Sequence, residues 1–257
     1  TAYHLGFVLG PRINAGGRVG KASIGSRLLC SVNPMEAKQL ADELNGFNQE
    51  RKDIEGFVLE QSIEMLEGTP QSWPMAFVYN KGWHQGVIGI VAGKLKERYN
   101  LPAFVMSIED DEVKGSARSI PGVDLGALII AAKEKGVLTK GGGHTMAAGF
   151  SLTEAQIPAF RTFAGEYIAR SLNNTRPHPI INIDLSLSLP AANAGLCSEL
   201  ERLKPFGTGN PEPLLLLRSV YFQRPCIIGA GHVKCELVTI SGEKLPAIAF
   251  RIADSEI

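Results

Sequence analysis

Apolar residues recur every three or four positions between residues 37 and 65, and this pattern constrains the fold more than any other feature of the chain. Asn33 and Pro34 supply the N-cap and the first-turn proline that mark the start of a helix, and Gly68-Thr69-Pro70 marks its end. Such a helix would extend about 50 Å at 1.5 Å per residue. Because one small domain does not need so long a helix, we predict that it connects two lobes. Arg51 interrupts the apolar face, either as a snorkelling side chain or as a ligand contact.

An α/β domain is predicted after this helix. Short apolar runs predict strands at 75–79, 102–108, 113–117 and 147–152. The remaining segments predict helices at 87–99, 124–135 and 153–172, with an N-cap at Asp124 and a capping box between Thr153 and Gln156. Strands that alternate with helices in this way indicate an α/β domain with a mixed sheet.

The two ends of the chain differ from this middle part. Residues 1–30 are rich in glycine, and we predict an irregular segment there. Toward the C-terminus the pattern predicts a short helix at 192–203 and strands at 180–189, 214–223, 232–240 and 245–252. A run of strands with few helices fits a partial β-barrel of the OB-fold type.

Gly141-Gly142-Gly143-His144 is the strongest candidate for ligand binding. Glycine lets the backbone approach an anion, and consecutive amides in the right conformation form a nest that binds phosphate. The histidine would add a titratable donor beside this nest. The alternative is a tight turn between a helix and a strand, with His144 hydrogen-bonded in the interior.

Two further segments favour an anionic ligand. Residues 81–86, which include Trp83 and His84, lead into the N-terminus of a predicted helix, where backbone amides attract anions. Ser116, Arg118 and Ser119 lie at the end of a predicted strand, and a guanidinium beside a hydroxyl suits a terminal phosphate. Each segment alone could be structural, with Trp83 capping the core. Together they lie at the loops where open α/β sheets usually bind ligands.

Composition limits the classes of partner. The formal net charge is zero, with 26 basic and 26 acidic residues, so only local basic patches could attract a polyanion. Residues 1–35 form one such patch, because they contain four basic residues and no acid. The four cysteines lie far apart without a Cys-x-x-Cys pair, which predicts reduced thiols, no zinc site and a cytoplasmic protein. The sequence contains no apolar run long enough to predict a membrane span or a secretory signal.

Five motifs, in this order, resemble the RecJ-like exonucleases of the DHH phosphoesterase family. They are Asn14-Ala15-Gly16-Gly17-Arg18, Gly82-Trp83-His84-Gln85-Gly86-Val87-Ile88-Gly89, Ser116-Ala117-Arg118-Ser119, Gly141-Gly142-Gly143-His144 and Pro205-Phe206-Gly207-Thr208-Gly209-Asn210-Pro211-Glu212-Pro213. The resemblance covers almost the whole chain. It implies a hydrolase that degrades single-stranded DNA from the 5′ end, with a metal-activated water, in DNA repair and recombination.

The sequence departs from that family in one respect, because it contains no Asp-His-His motif. The Mn²⁺ or Mg²⁺ ions implied for the whole enzyme would be bound by a domain that is missing here. We therefore expect a C-terminal portion that binds no metal and is inactive alone. The expected parts are residues 1–33 from the end of the metal domain, the connecting helix 34–72, a DHH-associated substrate-binding domain 73–173 and a truncated OB-fold 174–257.

The resemblance also implies roles for individual residues. Ser116, Ser119 and Arg118 would form a pocket for the DNA 5′-phosphate, with Arg18 as a further phosphate ligand. Trp83, His84 and the run Gly141, Gly142, Gly143 and His144 would hold the strand near the scissile bond, and His84 and His144 could support catalysis. In the tail, Arg218, Tyr221, Phe222 and Arg224 could contact the strand, as OB-folds do through basic grooves and base stacking.

Two other functions stay open at this point. One is a DHH-family phosphodiesterase that acts on short oligonucleotides or cyclic dinucleotides, although so small a substrate would not need an OB-like tail. The other is a non-catalytic module that binds single-stranded nucleic acid or protein. The partners implied by the first function are single-stranded DNA with a 5′-phosphate and a single-strand-binding protein, with no membrane.

Overall fold

The computed structural model describes residues 2–68, 74–207, 209–229, 231–250 and 252. The chain divides into two compact units, which we call unit 1 (Thr1–Pro179) and unit 2 (Ile180–Ile257). The overall architecture is the mixed α/β fold that the sequence predicts.

Unit 1 begins with helices, so the prediction of an irregular segment is wrong. A π-helical segment, His4–Leu9, leads into α1 (Gly10–Val19), and α2 (Ser23–Cys30) follows. The glycines in these helices allow close packing: a Cβ at Gly16 would lie 3.1 Å from the side chain of Leu44, and one at Gly25 would lie 2.8 Å from that of Ile13. Local composition cannot reveal this, because the contacts join residues that are distant in sequence.

The long helix α3 (Pro34–Glu67) begins where the sequence predicts. The Asn33 side chain accepts hydrogen bonds from the backbone N–H groups of Met35 and Glu36, as an N-cap does. Hydrogen bonds from Arg27 and Ser31 hold the pKa of the Glu36 carboxyl below its usual value. The helix ends at Gly68, and the other predicted stop residues, Thr69 and Pro70, lie outside the described residues.

Two separate core clusters share helix α3. Near its start, Leu40 and Leu44 pack with Ile24 of α2. Near its end, Val58 and Leu66 pack against the sheet and the following helix, α4 (Gln85–Tyr99). The helix therefore connects two packed regions within unit 1.

Arg51 of α3 takes part in a largely buried ion-pair network. Its guanidinium contacts the carboxylate of Glu55 and donates to the side chain of Asn48 at 3.3 Å. Glu55 also pairs with Lys94 of α4. Only 13% of the Arg51 side chain is exposed, so this residue does not extend into solvent as a snorkelling side chain would.

The sheet of unit 1 has five strands and is mixed. They are β1 (Ala76–Lys81), β2 (Ala103–Glu109), β3 (Glu112–Arg118), β4 (Lys140–His144) and β5 (Ala147–Thr153). The order across the sheet is β1-β2-β3-β5-β4, with β1 and β2 parallel and the other neighbours antiparallel. All four predicted strands are confirmed, and the fifth, β4, contains the glycine run.

The predicted helices of this region are confirmed as well. Besides α4, they are α5 (Leu125–Glu134) and α6 (Ile157–Ser171). Asp124 accepts a hydrogen bond from the backbone N–H of Ala127 at 3.0 Å, and the capping box of Thr153 and Gln156 is present.

Different helices pack on the two faces of the sheet. One face packs on α5 and α6 through a cluster of aromatic rings, among them Phe104, Phe150 and Phe160. The other face packs on α3 and α4, which cover β1, β2 and part of β3. On this second face, Gly149 of β5 and Gly142 of β4 are exposed. Half of one face therefore stays open, and it is the half that contains the glycine run.

The described part of unit 2 contains five strands, one α-helix and a single turn of 3₁₀ helix, Leu189–Ala191. A parallel pair, β6 (Leu185–Leu187) and β7 (Leu215–Leu217), is separate from an antiparallel sheet in the order β10-β9-β8. The sheet strands and the helix are β8 (Val220–Ile228), β9 (His232–Thr239), β10 (Lys244–Ala249) and α7 (Ala194–Glu201).

Two strand predictions for unit 2 need correction. The predicted strand 180–189 forms only over β6, and Ile180 is 84% exposed, so the alternating pattern does not reflect burial there. The predicted strand 214–223 is divided between β7 and β8, because Ser219 has a positive φ of 55° and the chain changes sheet at that point. The predicted end of the last strand, up to residue 252, includes Arg251, which lies outside the described residues.

All four cysteines are free thiols. Among the residues that the structure describes, no helix is both long enough and apolar enough to cross a membrane.

Candidate functional site

The open half of the sheet is lined by three rows of small and basic residues. Successive side chains of a strand alternate between faces, so Lys114, Ser116 and Arg118 share one face of β3. The antiparallel register extends each residue into a row across β5 and β4. The rows are Arg118–Ala147–His144, Ser116–Gly149–Gly142 and Lys114–Ser151–Lys140.

Six residues of these rows line the floor of a cavity of about 550 Å³, namely Lys114, Ser116, Arg118, Gly149, Ser151 and Lys140, whereas Gly142, His144 and Ala147 are not among its lining residues. The walls are the first turns of α4 and the end of α1. The lining residues are Gly17, Arg18, Gln85, Gly86, Ile88, Gly89, Lys114, Gly115, Ser116, Arg118, Lys140, Gly141, Gly149, Phe150 and Ser151. No acidic residue is among them, so the cavity is suited to an anion.

Arg118 is the central cation of this cavity. Its guanidinium donates hydrogen bonds to the Ser116 hydroxyl at 3.1 Å and to the Ala117 carbonyl at 2.9 Å. Partial burial lowers the pKa of Arg118, and the neighbouring positive charge of Arg18 lowers it further. Within the described part of the chain, no carboxylate pairs with Arg118. The site therefore holds a partly desolvated charge that an anionic ligand could neutralise.

Arg18 reaches the cavity from α1 through a close helix contact. Its guanidinium donates to the Gly86 carbonyl at 3.1 Å. A Cβ at Gly86 would lie 2.2 Å from the backbone oxygen of Arg18, so the two chain segments can approach only because residue 86 is glycine. This contact brings the motif Asn14-Ala15-Gly16-Gly17-Arg18 next to the α/β domain, so that Arg18 and Arg118 can belong to one site.

His84 lies in an adjoining cavity of about 780 Å³, which shares five lining residues with the first: Gly17, Arg18, Gln85, Gly86 and Lys114. Its Nδ1 atom accepts a hydrogen bond from the backbone N–H of Gly86 at 3.0 Å and so caps α4. A neutral ring that accepts at Nδ1 carries its proton at Nε2. His84 can therefore donate one hydrogen bond to a ligand while it holds the start of the helix.

The glycine run is an edge strand rather than a nest of consecutive amides or a tight turn. In β4 the residues alternate: Gly141 and Gly143 pack tightly, since a Cβ would lie 2.6 Å from Ile129 and from Ala148 respectively, whereas a Cβ at Gly142 would meet nothing within 4 Å. Among the described residues of the run, Gly141 alone lines the first cavity. His144 is exposed at the end of the strand, in the row of Arg118.

Trp83 and Ser119, two of the predicted site residues, have buried side chains. The Trp83 indole is 3% exposed and donates to the Gln61 side chain at 2.8 Å, and the Trp83 carbonyl accepts from the Ser107 hydroxyl. Trp83 borders the second cavity, but its ring belongs to the core. The Ser119 hydroxyl donates to the Val123 carbonyl at 2.7 Å. Both residues hold loops next to the site.

Several lining residues were not predicted from the sequence. Lys114 and Lys140 are the basic ones, and Gly89, Gly149 and Ser151 are the small ones. The alternation of Lys114 with Ser116 and Arg118 on one strand is a sequence signal that could have identified the first lysine. Lys140 and Ser151 depend on the pairing of β4 with β5, which no local pattern specifies.

In unit 2, the four predicted contact residues lie on or near β8. Tyr221 and Phe222 are exposed by 59% and 68%. Arg218 donates to the Ser186 hydroxyl at 3.3 Å. Arg224 has a positive φ of 52° and an exposed side chain 4.0 Å from the Glu236 carboxylate. Both aromatic rings are accessible for stacking.

A metal site does not fit the described residues, which contain no group of three or more His, Cys, Asp or Glu side chains close enough to hold an ion. We therefore assign no metal-dependent step to them.

Two domain families match this sequence. Residues 73–170 match the DHHA1 domain, and residues 183–257 match the RecJ OB domain. The domain boundaries predicted from the sequence stay predictions, because these matches cover only parts of the proposed ranges.

The curated relatives and solved structures are consistent with the domain matches. The chain is 33% identical to the single-stranded-DNA-specific exonuclease RecJ of Dickeya dadantii over 98% of this chain and 45% of the relative. It is 35% identical to the Bacillus subtilis protein of the same name over 90% of this chain and 30% of the relative. The structure of Thermus thermophilus RecJ in complex with Mn²⁺ superposes with a TM-score of 0.81 at 30% identity, covering 100% of this chain and 37% of that one. The chain thus spans less than half the length of these proteins.

Proposed function

This chain carries the DHHA1 and OB domains of the RecJ family, and on that premise we propose that it is the substrate-holding part of a 5′→3′ exonuclease specific for single-stranded DNA. The whole enzyme would hydrolyse phosphodiester bonds in DNA repair and recombination. One observation supports this most strongly: the guanidinium of Arg118 and the hydroxyl of Ser116 lie side by side in a basic cavity. Among the described residues, no carboxylate forms an ion pair with Arg118.

The 5′-phosphate is the group that best suits this pair. A phosphomonoester carries between one and two negative charges near neutral pH, whereas each internal phosphodiester carries one. The planar guanidinium of Arg118 can donate two parallel hydrogen bonds to phosphate oxygens, and the Ser116 hydroxyl can donate a third. Arg18 would add a second positive charge. Because Arg18 and Arg118 repel each other in the free protein, a bound dianion would relieve an unfavourable interaction.

His84 and the glycine run would hold the strand next to its terminal phosphate. The Nε2–H group of His84 is available as a donor, because Nδ1 already accepts from Gly86. β4 is an edge strand, and an edge strand leaves alternate backbone N–H groups unpaired on its outer side. Those amides and His144 are the groups through which the run would contact phosphate oxygens, in place of a nest.

Mn²⁺ or Mg²⁺ belongs to the proposed activity of the whole enzyme, because solved relatives contain these ions. Within the described residues nothing provides a set of metal ligands. This chain would therefore bind and orient the DNA, and residues elsewhere in the enzyme would carry the metal-dependent hydrolysis.

Unit 2 would contribute affinity for the single strand. Tyr221 and Phe222 are exposed aromatic residues on which bases could stack, and Arg218 and Arg224 add positive charge nearby. Stacking of this kind tolerates any base sequence, as an exonuclease without sequence preference requires. A single-strand-binding protein and a cytoplasmic location remain the expected partner and compartment.

Fluorescence anisotropy tests the proposal directly. The chain would be titrated against a 5′-phosphorylated single-stranded oligonucleotide, its 5′-hydroxyl twin and a blunt duplex. We expect the phosphorylated single strand to bind most tightly. Arg118→Ala should reduce the preference for the phosphorylated end by about 10- to 100-fold, since hydrogen bonds to charged groups contribute about 1.5–3 kcal/mol.

Arg161→Ala is the matched control. Arg161 lies on α6 with its guanidinium over the Phe77 ring, away from the cavity, and its loss changes the net charge by the same amount. This variant should keep the end preference. Equal affinity of the unmodified chain for both ends would contradict the pocket assignment, and tighter binding of cyclic dinucleotides than of oligonucleotides would favour the alternative phosphodiesterase function.

A further inference from the structure

The row formed by Lys114, Ser151 and Lys140 has the features of a second anion site. Ser151 pairs with Lys114 on one side and with Lys140 on the other, so a hydroxyl lies between two lysines on the same face of the sheet. The lysines belong to strands that are two positions apart, about 10 Å at the usual spacing of about 4.8 Å. Two flexible ammonium groups at this separation can reach one anion above the serine.

Both lysines are available to a ligand. Lys140 is exposed, and no described carboxylate forms an ion pair with it. Lys114 has a side chain that is 44% exposed, and its nearest ion-pair partner, Glu112, is 3.8 Å away, at the long limit for such a pair. Glu109 borders the adjoining cavity but does not line the cavity that contains this row. The row itself has two basic side chains and no acidic one.

The lysine row lies apart from Arg118, whose guanidinium is held by hydrogen bonds to the Ser116 hydroxyl and the Ala117 carbonyl. Lys114 and Arg118 are four residues apart on β3, which corresponds to about 13 Å at about 3.3 Å per residue. The row between them consists of Ser116, Gly149 and Gly142, and a Cβ at either glycine would meet no atom closer than 4.0 Å. The floor is thus low and open from one group of cations to the other.

We propose that Lys114, Ser151 and Lys140 form a second phosphate site, which holds a backbone phosphate of the strand downstream of its 5′ end. This inference rests on the proposed function, because it takes Arg118 and Ser116 as the site of the terminal phosphate. A nucleic-acid backbone is the ligand that the geometry favours, since it presents phosphates at regular intervals and can lie along a strip of small residues. The site would set a minimum length for tight binding.

The test compares the variant Lys114→Gln/Lys140→Gln with the unmodified chain by anisotropy over a range of salt concentrations. Each phosphate contact with a single strand contributes about 0.7 to the slope of log K against log salt. Because the lysine row holds one phosphate, the double variant should lower the magnitude of the slope by about 0.7 for a long oligonucleotide. Its preference for a 5′-phosphate over a 5′-hydroxyl should not change, and a 5′-phosphorylated dinucleotide should compete equally well with both proteins.

Lys52→Gln/Lys135→Gln serves as the matched control, because both lysines are exposed in unit 1 and neither lines the cavity. Its thermal melting curve and that of the site variant show whether both proteins are folded. Equal slopes for the two double variants would overturn the inference, and so would loss of the 5′-phosphate preference in the lysine-row variant, since the lysines would then belong to the end pocket. If the unmodified chain shows no end preference but the slope still falls, the proposed function fails while the second site stands.

Discussion

At the scale of single residues, the glycines of this protein fall into two groups that local sequence does not separate. Some allow backbones to pack, as Gly86 does against Arg18. Others face open space, as Gly142 and Gly93 do. An alanine substitution adds the same methyl group in each case. At a packed glycine it should lower stability, whereas at an open glycine it should change only the binding of a ligand that lies there.

Gly89 of α4 lies directly against Arg118 and Ser116, the two residues proposed to bind the 5′-phosphate. A Cβ there would be 3.1 Å from both the Arg118 guanidinium and the Ser116 hydroxyl. We expect Gly89→Ala to displace these groups and to reduce the 5′-phosphate preference several-fold in the anisotropy assay. Gly93→Ala, on the same helix with no atom within 4 Å, should leave binding unchanged and stabilise the helix by up to about 1 kcal/mol. Equal effects of both variants on binding would show that Gly89 does not position Arg118.

Gly149 tests whether a ligand lies on the open half of the sheet. Alanine at this position fits the strand, because the nearest atom, the Gly115 oxygen, is 4.0 Å from the added Cβ. We expect Gly149→Ala to keep or slightly raise the melting temperature while it weakens oligonucleotide binding about 10-fold. Gly143→Ala should instead destabilise the protein by about 1–3 kcal/mol, since its Cβ would be 2.6 Å from the Ala148 backbone. Unchanged binding by a folded Gly149→Ala variant would exclude close approach of the ligand at this position.

At the scale of elements, the buried carboxylate of Glu55 forms one ion pair within α3, with Arg51, and a second one to Lys94 of α4, the site-bearing helix. Glu55 is 7% exposed in its side chain and contacts both Arg51 and Lys94. Removal of one partner from a buried pair leaves an uncompensated charge, whereas replacement of the pair by apolar residues is often nearly neutral.

Glu55→Ala should therefore lower the free energy of unfolding of unit 1 by about 3 kcal/mol or more. The double variant Arg51→Met/Glu55→Met should be closer to the unmodified protein than this single variant. Urea titrations followed by tryptophan fluorescence measure the stability of both variants, because Trp83 is buried in the core of unit 1. If the double variant were as unstable as Glu55→Ala, packing rather than charge would explain the loss.

At the scale of the whole molecule, two compact units are joined by a segment with little regular structure. Residues 174–183 contain no helix or strand, and Ile180 and Ile181 are 84% and 72% exposed. Exposed apolar residues in an irregular segment are good protease sites.

Brief digestion with thermolysin, which cleaves before large apolar residues, should cut near residues 180–183 and give two fragments of about the size of units 1 and 2. Mass spectrometry identifies the ends. Survival of the intact chain, or cleavage first within residues 76–171, would mean that this division does not describe the protein.

Local sequence determined those parts of the protein whose signals act over a few residues. The N-caps at Asn33 and Asp124 and the capping box at Thr153 and Gln156 each satisfy backbone N–H groups within the next turn. Helices α3 and α5 therefore begin where they are predicted, and the capping box starts a 3₁₀ turn, Glu154–Gln156, that leads into α6. The motifs around Arg118 and the glycine run likewise identify the substrate-binding region, since the chemistry of a phosphate site depends on residue types.

Only the tertiary structure decided which of these residues meet. The glycine-rich start of the chain is helical because of contacts with α3, and the glycine run is a strand because β5 pairs with it. Trp83 and Ser119 are internal, whereas Lys114 and Lys140 reach the cavity through the register of three strands. Pairing and packing join residues that are distant in sequence, so their free energies leave no local pattern. The same reason explains why residues 180–184 have a strand-like pattern but form no strand.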